Sequence, residues 1–238
     1  MKSQVDAGQY RDAGYLIIKG LLSATEAQEM ARYYTDLRLE GPKPGDFGLN
    51  PDDPADPYNT YPRFHNMHEW DEKSAAWAAD ARISDAAASQ LEDKPVLFQT
   101  MLYFKPPGGR GQGLHQDQQF LSIDPVIGVW ISLDRSDAEN GQMRIVPGSH
   151  KLGLQDVQAA DESLSFFPGE TTLPPDTEAI GLDMDPGDAL LFGGKTIHGS
   201  NPNTSTSRFR RSFICHFRGE LSQNFVPEEG KTMNVFYK

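Results

Sequence analysis

The chain has 238 residues, which suits one domain and is enough to bury a sizeable hydrophobic core. It carries 34 acidic residues against 22 lysines and arginines, and the net charge of −12 makes nucleic acid and anionic membranes poor candidate partners. The single cysteine, Cys215, excludes an internal disulfide and fits a reducing compartment. The sequence shows neither an apolar run of membrane-spanning length nor a signal peptide at its polar N-terminus, so we expect a cytoplasmic protein.

We expect a single domain over residues 1–238, beginning with a helical and lid region that extends to about residue 92. Tyr15–Lys19 is predicted to be a short strand that leads into a turn. Ser23 is a plausible N-cap, and Glu26 three residues later would complete a capping box. A helix is therefore predicted to follow Ser23 and to end near Leu39.

A long segment from Gly41 to Pro62 is rich in proline, glycine and aspartate, and it is predicted to be an irregular loop. Loops of this length in compact domains are often lids or binding loops. Asp71–Leu91 is rich in alanine and has helical spacing, so one helix is predicted there. The apolar stripe of that helix includes Trp77, Ile83 and Ala87.

From about residue 93 to about residue 220 the pattern changes to short β-prone runs separated by Gly, Pro, Asp and Asn. These runs are PVLFQTMLYFK, VIGVWISLD, MRIVPGSH, DALLFGG and RFRRSFICHF. Helices followed by a series of short strands predict an antiparallel barrel or a double-sheet jelly roll with helices packed on one face. Residues 151–179 form a second long polar insertion.

The most specific local signal is the triplet His115-Gln116-Asp117. Residues i and i+2 of a strand point to the same face, so an imidazole and a carboxylate could reach one metal ion. His198, in DALLFGGKTIHGS, is the best candidate for a third ligand from another strand. Two histidines and one carboxylate on one face of an octahedron suit non-haem Fe(II). The remaining histidines are predicted to be structural or pocket residues rather than ligands: His65, His68, His150 and His216.

An arginine-rich run, RFRRSF, follows the distal histidine. Arg210 and Ser212 are two residues apart in a predicted strand and share its face, where a guanidinium and a hydroxyl could bind the distal carboxylate of 2-oxoglutarate. Arg208 shares that predicted face, whereas Arg211 does not. We favour Arg210 because Ser212 follows it in the pattern Arg-x-Ser. The same face continues through Ile214 and His216, and the opposite face carries Phe213, Cys215 and Phe217.

In combination these motifs resemble the phytanoyl-CoA dioxygenase (PhyH-like) family of Fe(II)- and 2-oxoglutarate-dependent oxygenases, over about Asp12 to Phe217. The resemblance is carried by FKPPG, LHQD, VWISLD, NGQMRIVPGSHKLG, PGDALLFGG, HGSNPNTS and RRSFICHF. It implies a mainly β fold with flanking helices around a double-stranded β-helix core of the jelly-roll, cupin-like type. It also implies that His115, Asp117 and His198 hold iron.

Further roles come from the resemblance alone. Met101 and Trp130 match family positions that contact 2-oxoglutarate, and Ser200 matches a hydroxyl near the distal histidine. Arg210 matches the carboxylate-binding arginine when the Cys-His-Phe end of the last motif is aligned, with one extra residue after His198. Two further residues on the face of Met101, Gln99 and Tyr103, could contact co-substrate or substrate.

The expected reaction uses Fe(II), 2-oxoglutarate and O₂ to oxidise a small molecule, by hydroxylation or oxidative ring closure. In related halogenases a small residue replaces the carboxylate ligand, so the presence of Asp117 favours an oxygen-dependent oxidation. Two alternatives remain: a cupin-like metalloenzyme that does not use 2-oxoglutarate, and a non-catalytic small-molecule binding protein on the same barrel.

The substrate is expected to be a polar secondary metabolite, such as an amino-sugar or an amino-acid-derived natural product. A cationic substrate is favoured because the segment from Gly41 to Glu72 is acidic, and acidic clefts attract cations. Its acidic residues are Asp46, Asp52, Asp53, Asp56, Glu69, Asp71 and Glu72, against the basic Lys43 and Arg63. The sequence does not determine the oligomeric state.

Overall fold

The structure, a computed structural model, describes residues 7–233. Residues 1–6, part of the stretch in which the sequence shows no signal peptide, lie outside the described residues. The helices of the described part are α1 (Ala7–Ala13), α2 (Ala24–Leu39), α3 (Met67–Trp70), α4 (Glu72–Ala78) and α5 (Ala81–Leu91). Within residues 7–233, no helix is both long and apolar enough to cross a bilayer.

Two antiparallel sheets and one short hairpin hold the strands. The N-terminal strands are β1 (Tyr15–Ile18), β2 (Asp46–Phe47) and β3 (Arg63–His65). The next group is β4 (Pro95–Tyr103), β5 (Gln112–His115), β6 (Ile123–Ser132), β7 (Met143–Ile145), β8 (Val157–Ala159) and β9 (Gly169–Thr171). The last are β10 (Ile180–Leu182), β11 (Ala189–Gly193), β12 (His198–Ser200) and β13 (Ser212–Asn224).

The large sheet has the order β1-β11-β6-β13-β4-β3-β2, the small sheet has the order β10-β7-β12-β5, and β8 pairs with β9. The large and small sheets face each other across an apolar interior. That interior includes Trp130, Leu190 and Ile214 from the large sheet and Met143 and Ile145 from the small one. The double-sheet jelly roll predicted from the sequence is therefore confirmed.

Alternation along β13 explains why the large sheet has two different faces. Phe213, Cys215 and Phe217 belong to the core formed with α2 and α5, whereas Ile214 and His216 point into the space between the sheets. Successive side chains of a strand point to opposite faces, so one strand serves both the helical layer and the interior. The prediction that helices pack on one face, and the predicted facing of these residues, are both confirmed.

The capping box predicted before α2 is present. The Ser23 hydroxyl accepts a hydrogen bond from the Glu26 amide at 3.2 Å, and the Glu26 carboxylate accepts one from the Ser23 amide at 2.7 Å. Two amide groups at the helix start are thereby satisfied. The helix then ends at Leu39, as predicted.

The single helix predicted over Asp71–Leu91 is wrong, because the structure divides it into α4 and α5. Asp80 adopts an extended conformation and its carboxylate accepts a hydrogen bond from the Arg82 amide, so it caps a new helix. The predicted apolar stripe is confirmed, since Ile83 and Ala87 are fully buried and Trp77 packs against the same core.

The N-terminal region contributes more than helices and a loop. Strand β1 pairs with β11 at one edge of the large sheet, and β2 and β3 extend the other edge through β4. The Gly41–Pro62 loop therefore starts and ends next to the sheet, and a short 3-10 helix, Pro57–Asn59, interrupts it. The insertion over residues 151–179 is likewise partly ordered, by the β8–β9 hairpin.

Candidate active site

Three side chains predicted to bind a metal converge at one end of the interior. His115 ends β5, Asp117 begins the 3-10 turn Asp117–Gln119, and His198 begins β12 beside His115 in the sheet register. The Asp117 Oδ1 atom lies 3.6 Å from His115 Nε2 and 3.5 Å from His198 Nε2. One ligand atom from each residue lies within 4.8 Å of the others, so the three can hold one metal ion.

The backbone fixes the orientation of both imidazoles. His115 Nδ1 lies 2.9 Å from the Gly113 carbonyl, and His198 Nδ1 lies 2.9 Å from the Thr196 carbonyl. A carbonyl accepts only from a protonated nitrogen, so each ring carries its proton on Nδ1 and leaves the Nε2 lone pair facing Asp117. Such outer contacts orient metal-binding histidines and set their tautomer.

Burial sets the charges of the three groups. Burial and then the neighbouring His198 lower the pKa of His115 to about 3, and burial also lowers the pKa of His198. Burial alone would raise the pKa of Asp117, but the charge interaction with His198 and a hydrogen bond from His216 outweigh it, and that pKa lies below its ordinary value. Neutral imidazoles and an ionised carboxylate are the forms that bind a metal.

One cavity, here called the inner cavity, extends from the triad into the space between the sheets. Besides the triad it is lined by Met101, Tyr103, Gln112, Trp130, Met143, Phe192, Gly199, Ser200, Arg210, Ile214 and His216. The structure thus brings the predicted residues Met101, Tyr103, Trp130, Ser200 and Arg210 together beside the triad. Most of the other lining side chains are apolar, so a charged ligand here depends on the few polar groups.

Arg210 is the charged group that fits a carboxylate at the far end of this cavity. Its side chain is fully buried, and burial lowers its pKa to about 10, so it remains a cation at neutral pH. Its Nη1 donates to Ser212 Oγ at 3.0 Å and its Nε donates to the Gly141 carbonyl at 3.2 Å. The Nη2 group and the Trp130 Nε1 group are buried and have no hydrogen-bond partner among residues 7–233. These unused donors fit an anionic oxygen ligand such as 2-oxoglutarate.

The neighbouring arginines lie elsewhere. Arg208 pairs with Asp137 at 2.8 Å and Glu139 at 2.6 Å on the surface, although it was predicted to share the face of Arg210. That prediction is wrong because β13 begins only at Ser212, so the two-residue alternation does not apply to residues 208–210. Arg211 pairs with Asp134 at 2.7 Å and contacts α2, on the opposite side of the sheet, as predicted.

Ser212 and Gln99 do not line the inner cavity. Ser212 was expected to add a hydrogen bond to the 2-oxoglutarate carboxylate, but its side chain is fully buried and accepts a hydrogen bond from Arg210. Gln99, expected to contact co-substrate or substrate, lines a second cavity.

That second cavity, here called the outer cavity, opens on the other side of the triad. It shares Met101, Tyr103, Gln112, His115, Asp117 and His216 with the inner cavity. Its other lining residues are Phe47, Arg63, His65, Gln99, Phe120, Leu121 and Phe167. His115 and Asp117 thus form part of a wall common to both cavities, which lets a metal there contact a molecule on either side.

Two polar residues of this region were given no specific role in the site from the sequence, although His216 was predicted to be a structural or pocket residue. Lys105 is buried, and its Nζ donates to Ser200 Oγ at 2.7 Å. Burial, followed by the charge of Arg210, holds the pKa of Lys105 well below its ordinary value. His216 Nε2 donates to Asp117 Oδ2 at 3.2 Å. Lys105 lies in the FKPPG motif and His216 on the predicted inward face of β13, and these were the available signals. His68 and His150 make structural contacts, to Thr100 and to the Arg11 carbonyl.

A jelly roll with two histidines, one carboxylate and a buried arginine defines the class of non-haem Fe(II) oxygenases that use a bidentate co-substrate. The profile of the family described as Phytanoyl-CoA dioxygenase (PhyH) matches residues 10–212. The chain belongs to this family, which confirms the resemblance found in the sequence.

A curated relative agrees with this membership, and two solved structures share the fold. "Phytanoyl-CoA dioxygenase 1" of Oryza sativa subsp. japonica is 33% identical over 144 residues, which are 59% of this chain and 51% of that protein. The chain thus spans about half the length of this relative. The structure of EvdO2 from Micromonospora carbonacea var. aurantiaca complexed with 2-oxoglutarate has a TM-score of 0.74 at 21% identity, covering 95% of this chain and 94% of that one. The epimerase SnoN in complex with Fe3+, alpha ketoglutarate and nogalamycin RO has a TM-score of 0.73 at 21% identity, covering 92% and 84%.

Proposed function

We propose that the protein is an Fe(II)- and 2-oxoglutarate-dependent dioxygenase that oxidises a polar small molecule. The observation that carries the proposal is the triad beside the inner cavity, which contains the buried and incompletely paired Arg210, with His115 and Asp117 also lining the outer cavity. The triad offers three ligands on one side of a metal ion and leaves the other positions for co-substrate, O₂ and water. Bound Fe(II) and 2-oxoglutarate would supply the oxidising chemistry, with succinate and CO₂ as co-products.

The protein's own residues have separate tasks in this proposal. Arg210 Nη2 donates to the distal carboxylate of 2-oxoglutarate, while Ser212 and the Gly141 carbonyl hold the guanidinium in place. Lys105 orients the Ser200 hydroxyl at the same end of the inner cavity. The apolar walls formed by Met101, Trp130 and neighbouring residues exclude water from this site.

The substrate is assigned to the outer cavity, because the inner one is assigned to 2-oxoglutarate. We retain an amino-sugar or amino-acid-derived secondary metabolite as the substrate class, and hydroxylation or oxidative ring closure as the reaction. Support comes from SnoN, an epimerase from nogalamycin biosynthesis with the same fold. The cytoplasm remains the expected compartment, in keeping with the free and buried Cys215.

The proposal is tested by mixing the protein with Fe(II) and 2-oxoglutarate without O₂ and recording the visible charge-transfer absorption of the chelate. Admitting O₂ should then give succinate at a rate that depends on both components. His115→Ala should lose the absorption band and succinate formation together. If the wild-type protein shows neither, or turns over without 2-oxoglutarate, a metalloenzyme that does not use this co-substrate is the better assignment.

A further inference from the structure

The outer cavity contains an arginine that the oxidation chemistry does not use. Strand β3 places Phe64 in the core and Arg63 and His65 on the opposite face, where both line the cavity. Arg63 pairs in register with Phe47 of β2, and the neighbouring strand β4 supplies Met101 and Tyr103. The guanidinium therefore faces the same space as His115 and Asp117.

Three aromatic rings hold the guanidinium in position. Its central carbon lies 4.0 Å from the centre of the Phe166 ring, 4.8 Å from that of Phe47 and 5.3 Å from that of Tyr103. A Cβ added to Gly48 would lie 2.6 Å from Arg63 Nη2, so the residue at position 48 must be small for the guanidinium to lie there. Contact with aromatic rings attracts the cation without placing an oxygen acceptor on its N–H groups, so these groups can still bind an anion.

These N–H groups have no acceptor and no carboxylate within ion-pair distance among residues 7–233. Two arginines of the adjoining segments do have one: Arg38 pairs with Asp46 at 2.7 Å and Arg110 pairs with Asp56 at 2.6 Å. Packing alone explains the stacked rings, but it does not explain a half-buried cation whose donors face a cavity unpaired. Arg210 shows the same combination of stacking and unused donors, and it faces the inner cavity.

The electrostatics of the outer cavity favour an anion. Among the described lining residues the only acidic side chain is Asp117, a member of the triad. Asp46 and Asp56 of the acidic segment are held by arginines, and Asp71 caps α4. Burial, followed by the charge of Arg63, lowers the pKa of His65 to about 4, which keeps this imidazole neutral. Apart from the triad residue Asp117, the described lining of the outer cavity therefore offers no acidic group that could bind the cationic substrate expected from the sequence.

We propose that Arg63, held by Phe47, Tyr103 and Phe166, binds an anionic group of the substrate, most simply a carboxylate, and so orients the substrate beside the triad. This inference rests on the proposed function, because it assigns the substrate to the outer cavity. It narrows the substrate class to acids, including amino-acid-derived compounds that keep a free carboxylate. A guanidinium binds a carboxylate through two parallel hydrogen bonds, so it sets orientation as well as affinity.

Three small aromatic probes of different charge test this proposal: anionic benzoate, neutral benzamide and cationic benzylamine. Each is titrated calorimetrically, without O₂, into the chain of 238 residues loaded with Fe(II) and saturated with 2-oxoglutarate, so that the inner cavity is filled. Benzoate should bind at least about tenfold more tightly than the other two, which is the expected effect of a charge-assisted pair. Arg63→Met should abolish this preference, and Arg63→Lys should restore part of it.

Arg144→Met is the matched control. Arg144 is also a half-buried arginine without an ion pair among the described residues, but it lines a separate cavity on the other face of β7. This control changes the net charge equally and should keep the benzoate preference. Melting temperatures of all variants, measured with metal, show whether each is folded.

Several outcomes overturn the inference. They are equal binding of the three probes, tighter binding of benzylamine, and an Arg63→Met effect that weakens all three probes alike. A fall in 2-oxoglutarate affinity in Arg63→Met as large as the fall for benzoate would assign Arg63 to the co-substrate instead. Succinate formation by the wild-type protein is measured separately. If succinate forms but benzoate is not preferred, only the inference about Arg63 fails. If succinate does not form, the proposed function fails.

Discussion

Arg210 is fully buried, yet its Nη2 group has no hydrogen-bond partner in the described structure. Arg210→Ala should raise the apparent KM for 2-oxoglutarate by about tenfold or more, because a charge-assisted hydrogen bond contributes about 1.5–3 kcal/mol. The measurement is the rate of succinate formation against 2-oxoglutarate concentration. Arg208→Ala is the control, since its ion pairs lie on the surface. A larger effect in the control would move the anchor away from Arg210.

His216 acts on the metal through another residue, since its Nε2 donates to Asp117 Oδ2 at 3.2 Å. Loss of such an outer hydrogen bond typically weakens metal binding by about 10- to 100-fold. His216→Ala should weaken Fe(II) binding by that amount in an anaerobic competition titration with a chelator. His216→Gln keeps an N–H donor and should recover most of the affinity. Equal affinities in all three proteins would show that this contact does not position Asp117.

At the scale of residues, the sequence predicts side chains whose chemistry is tied to short spacing. His115 and Asp117 were found in this way, His198 was chosen as a third ligand from another predicted strand, and the structure brings the three together. Lys105 was not found, because lysine is normally exposed and nothing local marks its burial. Arg63 was only counted as a basic residue of the Gly41–Glu72 segment. Its place in the outer cavity was not predicted, because its contact with Phe166 joins residues far apart in the chain.

Among the elements, α5 shows how one side chain can decide a boundary. Asp80 accepts a hydrogen bond from the Arg82 amide at 2.9 Å and also binds the Arg82 side chain. Asp80→Ala should lower the free energy of unfolding by about 1 kcal/mol, the usual effect of losing an N-cap. Urea unfolding measures it, and Asp80→Asn should be nearly neutral because asparagine also caps. An Asp80→Ala variant as stable as wild type would mean that packing alone starts α5.

The elements that the sequence predicted well are those with strong periodicity. Strands such as β6 and β13 alternate between two buried faces, and α2 has a capping box at its start. The break between α4 and α5 was missed because the alanine-rich pattern continues across it. Strands β2 and β3 were missed because two or three residues show no period, and pairing with β4 is what makes them strands.

For the whole molecule, the two long insertions limit what the sequence can predict. The pattern of strands implies two facing sheets, but not which parts of residues 41–62 and 151–179 reach the cavities. In the structure Phe47 and Phe167, one from each segment, line the outer cavity. The outer cavity therefore depends on tertiary contacts of irregular chain, whereas the triad depends on two paired strands and the 3-10 turn that directly follows one of them.

Metal and co-substrate should stabilise the whole fold. A metal at the triad would join two strands of the small sheet to the 3-10 turn that follows β5. The co-substrate would extend from there to Arg210 in the inner cavity. A ligand at about 100 times its dissociation constant adds about 2.7 kcal/mol if it binds only the folded state. For a chain of this size about 1 kcal/mol corresponds to about 2–4 °C in Tm. Anaerobic Fe(II) at that concentration should thus raise Tm by about 5–10 °C, and a chelator should reverse the shift.

The two ligands can be separated in the same experiment. His115→Ala should show no rise with Fe(II), because two remaining ligands hold the ion poorly, while its own Tm without metal shows whether it is folded. In the wild type 2-oxoglutarate should add a further rise only when Fe(II) is present, since the proposed site would hold it by the metal and Arg210 together. Arg210→Ala should keep the Fe(II) shift and lose most of the second rise. A full rise in Tm with 2-oxoglutarate in the absence of metal would mean that the protein alone holds the co-substrate. The proposal that a metal at the triad binds 2-oxoglutarate would then be wrong.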